Sequence, residues 1–94
     1  MTVTIEFIGS FRSISNRCRL VIDLESPLLL RKVMKRVVEM LPNLKGTLIN
    51  PDHGGVRAGV LVLINGSEIS VLNGLETVIE DGDELVLIPV AHGG

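Results

Sequence analysis

The chain has 94 residues, a formal net charge of −2, and nearly half of its residues are hydrophobic. That length suits one domain with a modest core, and the slight acidity argues against direct nucleic-acid binding. No apolar stretch approaches the about 20 residues that span a bilayer, and the first residues lack the features of a signal peptide. Because Cys18 is the single cysteine, no internal disulfide can form, and we expect a cytoplasmic protein without a membrane partner.

The first predicted element is a half-buried strand over Val3–Ile8, where apolar and polar residues alternate. Val3, Ile5 and Phe7 share the face that is expected to pack on a core. Ile8 interrupts the alternation, because it places an apolar side chain on the otherwise polar face. That position makes Ile8 a candidate for contact with a partner.

A polar, turn-like segment over residues 10–17 leads to a second predicted strand over residues 17–23. Within this strand Cys18, Leu20 and Ile22 fall on one face, since successive side chains of a strand alternate. We therefore expect Cys18 to be buried with a structural role, as unpaired cysteines commonly are.

The main helix is predicted to begin at Ser26, whose hydroxyl suits an N-cap, with Pro27 in the first helical position. From Leu30 onward apolar residues recur at helical spacing, and Pro42 ends the pattern. The face expected in the core comprises Leu30, Val33, Met34, Val37 and Leu41. Four basic residues share the other face, which we interpret as solvated helix surface: Arg31, Lys32, Lys35 and Arg36.

Residues 43–58 are the least regular part of the sequence. One short turn that packs down is expected around Leu44, Leu48 and Ile49, with a loop after it. Asp52 and His53 adjoin in that loop, but no further ligand follows at a recognised metal spacing. We expect an exposed loop histidine. The sequence predicts no metal site and no catalytic nucleophile–base pair.

An apolar run over residues 59–64 predicts an interior strand, and Asn65-Gly66 is a strong signal for a tight hairpin. A short return strand is expected over residues 67–70. The connection that follows, over residues 71–79, is expected to pack down through three apolar residues, Leu72, Leu75 and Val78.

The sequence ends with an acidic turn, an apolar strand and a short tail. Glu80–Glu84 is the predicted turn, and Leu85–Ile88 is the predicted strand, buried on both sides. Pro89 lacks the N–H that continued strand pairing needs. Residues 1–89 therefore form the predicted domain, and residues 90–94 form a flexible tail that reaches about 17 Å.

The tail finishes on His92, Gly93 and Gly94, and a terminal carboxylate there can be offered as a reactant. Glycine has no Cβ, so Gly93 and Gly94 can thread a narrow channel in a partner. The same tripeptide over residues 53–55 is interpreted as an ordinary loop. The copy at residues 92–94 is interpreted as functional because it lies at a free end that follows a buried strand.

The order strand, strand, helix, strand, short strand, strand predicts an α+β fold. We expect a mixed sheet of four to five strands with one main helix on one face. Since one helix covers one face only, the other face is expected to expose Ile8, Val86 and Ile88. An apolar patch of this kind is typical of a partner surface, whereas single surface aliphatics are ordinary.

This arrangement resembles the β-grasp proteins of the ubiquitin-like sulfur-carrier family, which includes MoaD (the small subunit of molybdopterin synthase), ThiS and the ubiquitin-related modifier proteins. The resemblance is nearest to archaeal-type MoaD-like proteins. The tail departs from MoaD, which usually has two consecutive prolines, and its terminal His-Gly-Gly is more typical of the ubiquitin-related modifiers. The segments that carry the resemblance are Val3–Ile8 with Phe11-Arg12, residues 62–66, residues 81–84, and Ile88-Pro89 leading to Gly93-Gly94.

The resemblance implies that Gly94 is the reacting residue and that the chain itself binds no cofactor. A ubiquitin-activating-type adenylating enzyme would use ATP to form an acyl-adenylate at Gly94. Sulfur from a persulfide enzyme or from sulfide would then displace AMP and leave a thiocarboxylate. Gly93 would ease threading and His92 would be a tail contact, while the exposed residues of the sheet would dock the partner.

Three functions stay open at this point. The first is sulfur delivery as the small subunit of molybdopterin synthase, with the tail inserted into the large subunit. The second is modification, in which Gly94 is conjugated to lysines or donates sulfur for tRNA thiolation. The third is a β-grasp interaction module with an inert terminus. Deletion of Gly94 would leave the activity of such a module unchanged, whereas it would abolish the first two functions.

Overall fold

The computed structural model describes residues 1–90, and the predicted tail sites His92, Gly93 and Gly94 lie outside the described residues. The strands are β1 (Thr2–Phe7), β2 (Arg19–Asp23), β3 (Leu28–Leu29), β4 (Val60–Ile64), β5 (Ser67–Glu68), β6 (Val78–Ile79) and β7 (Glu84–Pro89). The α-helices are α1 (Ser10–Ser15), α2 (Leu30–Met40) and α3 (Lys45–Leu48), and 3-10 turns cover Pro42–Leu44, Ile69–Val71 and Gly74–Glu76.

The main sheet has five strands in the order β2-β1-β7-β4-β5, and β3 pairs with β6 in a separate two-stranded sheet. Strand β7 occupies the centre, parallel to β1 and antiparallel to β4. Leu87 shows the register on both sides of β7, since it lies opposite Phe7 of β1 and opposite Val62 of β4. The predicted α+β fold, with a mixed sheet and one main helix on one face, is confirmed.

The core lies between the main sheet and α2. Strand β1 buries Val3, Ile5 and Phe7, and β7 buries Leu85 and Leu87, each without exposed area. Because side chains of a strand alternate, these residues line one face of the sheet, which α2 covers. Helix α2 contributes the buried residues Leu30, Val33, Met34, Val37 and Val38. Leu41, which was predicted in this set, is only partly buried.

The prediction that the main helix begins at Ser26 and Pro27 is wrong. Helix α2 starts at Leu30, with no side-chain cap. The two preceding residues are strand, because Leu28 pairs with Ile79 and Leu29 with Val78. This pairing over about fifty residues of sequence cannot be inferred from a local capping pattern, and it overrides that pattern.

The polar segment predicted as a turn contains helix α1 instead. Gly9 precedes the helix with φ 58°, and Asn16 ends it in the left-handed region with φ 58° and ψ 34°. Phe11 is buried in the core, and the Ser15 hydroxyl donates to the carbonyl of Arg17 at 3.0 Å. Burial of Phe11 and the end residues Gly9 and Asn16 stabilise the helix, although its serines have a low helix propensity.

Cys18 is exposed, so the prediction of a buried structural cysteine is wrong. Strand β2 begins one residue later, at Arg19, and only Leu20 and Ile22 of the expected face are buried. The Cys18 carbonyl accepts a hydrogen bond from the Phe7 N–H at 2.9 Å. The backbone at Cys18 is therefore tied to the sheet while its side chain lies outside the alternating face.

The irregular segment packs down as predicted, through Leu44 and Leu48, which have no exposed area. His53 is exposed in the loop that follows, and its Nδ1 accepts the Gly55 N–H at 3.0 Å. Within residues 1–90, no cluster of three potential metal ligands occurs. In the same residues no helix has the length and apolarity needed to cross a membrane.

The connection over residues 71–79 packs differently from the prediction. Leu75 is partly buried against the core, but Leu72 and Val78 are exposed. Ile79, the neighbour of Val78 in β6, is the fully buried residue. Pairing with β3 sets which of the two side chains points inward, and the sequence pattern did not reveal that pairing.

The central position of β7 predicts a large cost for shortening its buried side chains. Leu87→Ala should lower the free energy of unfolding by about 2–5 kcal/mol, because it leaves a cavity in the middle of the core. Leu72→Ala is the matched control, since the same atoms are removed from an exposed residue, and it should cost no more than about 0.5 kcal/mol. Urea unfolding of both variants tests this, and equal costs would contradict the assigned burial.

Candidate functional site

The face of the main sheet away from α2 carries a row of aliphatic side chains on its central strands. Val86 and Ile88 of β7 alternate with the buried Leu85 and Leu87, and both are only partly buried. The structure thus places these two predicted docking residues on the open face. Their docking role remains a prediction.

Ile8 joins this row from the end of β1. Its N–H donates to the carbonyl of Leu87 at 3.0 Å, which continues the parallel pairing of β1 and β7 and sets Ile8 beside Ile88. Ile8 is partly exposed. The structure therefore brings together all three residues that the sequence analysis assigned to the open face.

Strand β4 supplies two further members that the sequence analysis missed. Leu61 lies opposite Ile88, and Leu63 lies opposite Val86, both partly exposed. They were missed because the run over residues 60–64 is apolar throughout and carries no alternation to distinguish its faces. Together these residues form the open-face patch: Ile8, Leu61, Leu63, Val86 and Ile88.

Polar groups border the open-face patch on two sides. On one side Arg19 and Glu6 form an ion pair at 3.5 Å, with both side chains substantially exposed. On the other side Glu68 of β5 lies opposite Leu63. An exposed ion pair adds little stability. An apolar centre with a polar border is the usual composition of a protein–protein interface.

The last described residues stay bonded to the strand β4 side of the sheet, at the patch end of β7. Pro89 pairs with Val60, and the Val90 N–H donates to the carbonyl of Gly59 at 2.8 Å. Pairing thus continues one residue beyond Pro89, the point where it was expected to stop. The proline is tolerated because the N–H of the next residue makes the bond.

Gly9 fixes the position of Pro89 from the side of α1. Its φ is 58°, and a Cβ added there would lie 3.1 Å from the Cγ of Pro89. A glycine at this position therefore serves both the backbone conformation and the close approach of the proline. The contact brings the residue before α1 against the end of β7.

The acidic turn anchors the opposite end of β7 through its carboxylates. Asp83 accepts a hydrogen bond from the Asn65 side-chain amide at 2.9 Å, and the side-chain oxygen Oδ1 of Asn65 accepts the Glu84 N–H at the same distance. Asp81 accepts the Thr2 N–H at 2.8 Å. These aspartates hold the strand in register, which the sequence analysis did not foresee for them.

The arrangement can bind a partner and present the residues that follow Val90. All five side chains of the open-face patch are aliphatic, so the patch offers contact area and no reacting group. The polar groups near it are engaged with one another, as in the Arg19–Glu6 pair.

The sequence matches the Urm1 (Ubiquitin related modifier) family over residues 2–94. "Ubiquitin-related modifier 1" of Candida glabrata is 32% identical over 96 residues, which cover 98% of this chain and 97% of the relative. "Small archaeal modifier protein 3" of Haloferax volcanii is 28% identical over 94 residues, which cover the whole of both chains.

Solved structures show the same fold. The crystal structure of SAMP1 from Haloferax volcanii matches with a TM-score of 0.87 and 20% identity, covering the whole of both chains. A putative molybdopterin converting factor, subunit 1, from Pyrococcus furiosus matches with a TM-score of 0.78 and 17% identity, covering 97% of this chain and 99% of that one. At such identities these likenesses show a shared ubiquitin-like β-grasp fold and carry no statement about activity.

The Gly9–Pro89 contact predicts an asymmetry between two glycine substitutions. Gly9→Ala should lower the free energy of unfolding by about 1–3 kcal/mol, because alanine is strained at this positive φ and its Cβ meets Pro89. Gly46→Ala is the control, since Gly46 lies in α3 with no atom near its Cβ position. It should raise stability by about 0.5–1 kcal/mol. Thermal and urea unfolding measure both, and a neutral Gly9→Ala would refute the assigned contact.

Proposed function

The chain belongs to the Urm1 (Ubiquitin related modifier) family, and from that premise we propose that Gly94 is the residue activated and thiolated in a sulfur carrier. The chain is a ubiquitin-like modifier and carrier of the Urm1 and small archaeal modifier type, and not an enzyme. The relationship to ubiquitin-like sulfur carriers that the sequence predicted is confirmed. The proposal is supported by the position of the end of β7, which lies beside the open-face patch. The family match continues from that end of the strand to residue 94.

The proposed chemistry begins at the Gly94 carboxylate. One of its oxygens attacks the α-phosphate of ATP in the active site of an adenylating enzyme, and pyrophosphate leaves. Sulfide then attacks the acyl carbon of the adenylate, AMP leaves with the bonding electrons, and a thiocarboxylate remains. With a persulfide donor, a thiol finally cleaves the S–S bond of the acyl disulfide. ATP is used by the partner enzyme, and this chain holds no cofactor.

In this proposal the open-face patch and the tail contact different parts of the adenylating enzyme. The patch docks the domain on the adenylating enzyme, with Ile8, Val86 and Ile88 as contact residues. The five residues after Pro89 span about 17 Å when extended, enough to enter an active site next to the docking surface. Gly93 passes through the narrow part of the channel, and His92 contacts its wall.

The family favours the modifier branch for the fate of the activated Gly94. In this branch Gly94 is joined to a lysine of another protein, or its sulfur is given to tRNA. The match to the Urm1 family and the His-Gly-Gly ending both support it. The likeness to a molybdopterin converting factor is a likeness of fold alone at 17% identity, so it adds no support to a role in molybdopterin synthase.

Intact-mass measurement tests the proposed activation. The full chain is incubated with the host's adenylating enzyme, ATP and sulfide, and fragmentation locates any change. We expect one oxygen to be replaced by one sulfur at Gly94, while a variant without Gly94 gains nothing. The mass of the unreacted protein also verifies that it ends at Gly94. An unchanged mass, with an enzyme that thiolates another carrier in the same assay, would overturn the proposal.

A second prediction tests docking through the open-face patch. The double variant Val86→Thr/Ile88→Thr keeps β-branched side chains but removes apolar area from the proposed interface. It should weaken binding of the adenylating enzyme by about 2 kcal/mol, or about thirtyfold in Kd. Val21→Thr makes the same kind of change on the exposed edge strand β2, outside the patch, and should leave Kd unchanged. Equal Kd values for the two proteins in calorimetric titration would remove the patch from the interface.

A further inference from the structure

A second surface lies on the helical side of the domain. There an open groove of about 750 Å³ is lined by α2, the segment after it, the loop near Gly54 and Leu75. A groove of this size falls in the range that holds several side chains of a ligand. Its floor is apolar and consists of Met34, Val38, Pro42, Ile49 and Leu75. We call it the helix-side groove.

Positive charge is concentrated on the rim of the helix-side groove. The chain has three lysines, Lys32, Lys35 and Lys45, and all of them line this groove. Within residues 1–90 none of the three is within ion-pairing distance of a carboxylate. One acidic residue, Glu39, stands among them. A chain with a net charge of −2 thus gathers all its lysines around one apolar floor.

Arg31 also lines the groove, but its guanidinium is already engaged. It forms an ion pair with Glu76 at 2.5 Å, which joins α2 to the 3-10 turn that carries Leu75. The free positive charge is therefore that of the lysines, whose long stems can lie along apolar surface while their ammonium groups reach outward.

We propose that the helix-side groove binds an acidic segment of a partner protein, which places an apolar side chain on the floor and carboxylates against the lysines. The charge of the rim selects the acidic residues, and the floor requires a hydrophobic one. The groove lies on the other side of the domain from the open-face patch. The inference is therefore independent of the proposed activation of Gly94, and one can fail without the other.

The composition of the groove disfavours nucleic acid as its occupant. Single-stranded nucleic acid is usually held by aromatic side chains on which the bases stack. The two aromatic residues of the chain, Phe7 and Phe11, are both buried in the core. The groove instead offers an aliphatic floor, which suits the side chains of a peptide.

A second copy of the chain is also a poor occupant. Its acidic turn carries the required charge, but Asp81 and Asp83 are occupied by Thr2 and Asn65. The apolar residue that follows the turn, Leu85, has no exposed area. Another copy therefore lacks an acidic segment with a free apolar side chain in this region.

Selection of peptides against the full chain tests the proposal. A library of randomised short peptides is displayed and enriched for binding, and the enriched peptides are synthesised and titrated into the isotope-labelled protein. We expect sequences rich in Asp and Glu around an apolar residue, and NMR shifts at Val38, Ile49 and Leu75. Failure to enrich any peptide, enrichment of non-acidic ones, or shifts confined to the open-face patch would each overturn the proposal.

Two matched variants and two competing polyanions complete the test. Lys32→Glu should weaken the selected peptide about tenfold, because attraction at the rim becomes repulsion. Arg17→Glu makes the same charge change on an exposed residue outside the groove and should leave the affinity within twofold.

Inorganic polyphosphate and a single-stranded RNA should bind the groove more weakly than the peptide. Equal or tighter binding of either one would assign the groove to a polyanion instead.

Discussion

The rest of the structure depends on the burial of one face of β7 at the centre of the sheet. Leu85 and Leu87 lie without exposed area beneath α2, with β1 on one side and β4 on the other. The same pleat turns Val86 and Ile88 to the open face. A shift of register by one residue would expose the core residues and bury the open-face pair, so the register that buries Leu85 and Leu87 also keeps Val86 and Ile88 on the open face.

Much of the fold could be predicted from sequence because its signals are local. The alternation in β1, the helical period of α2 and the Asn65-Gly66 hairpin each specify their own element, and Asn65 and Gly66 both have the positive φ that this hairpin turn needs. The errors arose where a distant contact decides the local structure. Helix α1 depends on Phe11 reaching the core, and the late start of α2 depends on pairing with β6.

The candidate site divides in the same way. Ile8 could be predicted because it interrupts the alternation of β1. Ile88 and Leu61 both lie in uniformly apolar runs, where the pattern does not distinguish the two faces, and of these two only Ile88 was assigned to the open face. The helix-side groove could not be predicted for a different reason, since residues from four separate segments build it. The four basic residues of α2 were interpreted as solvated surface. Three of them, Arg31, Lys32 and Lys35, line a groove whose apolar floor is created by tertiary packing.

The two faces of the domain thus have separate expected partners, and the central claim is that the open face meets the adenylating enzyme. The most direct measurement is methyl NMR on the full chain, labelled at Ile, Leu and Val, with and without that enzyme. We expect shifted or broadened methyl signals for Ile8, Leu61, Val86 and Ile88, while those of Ile49 in the groove stay unchanged. Changes confined to the groove, with an unperturbed open face, would contradict it.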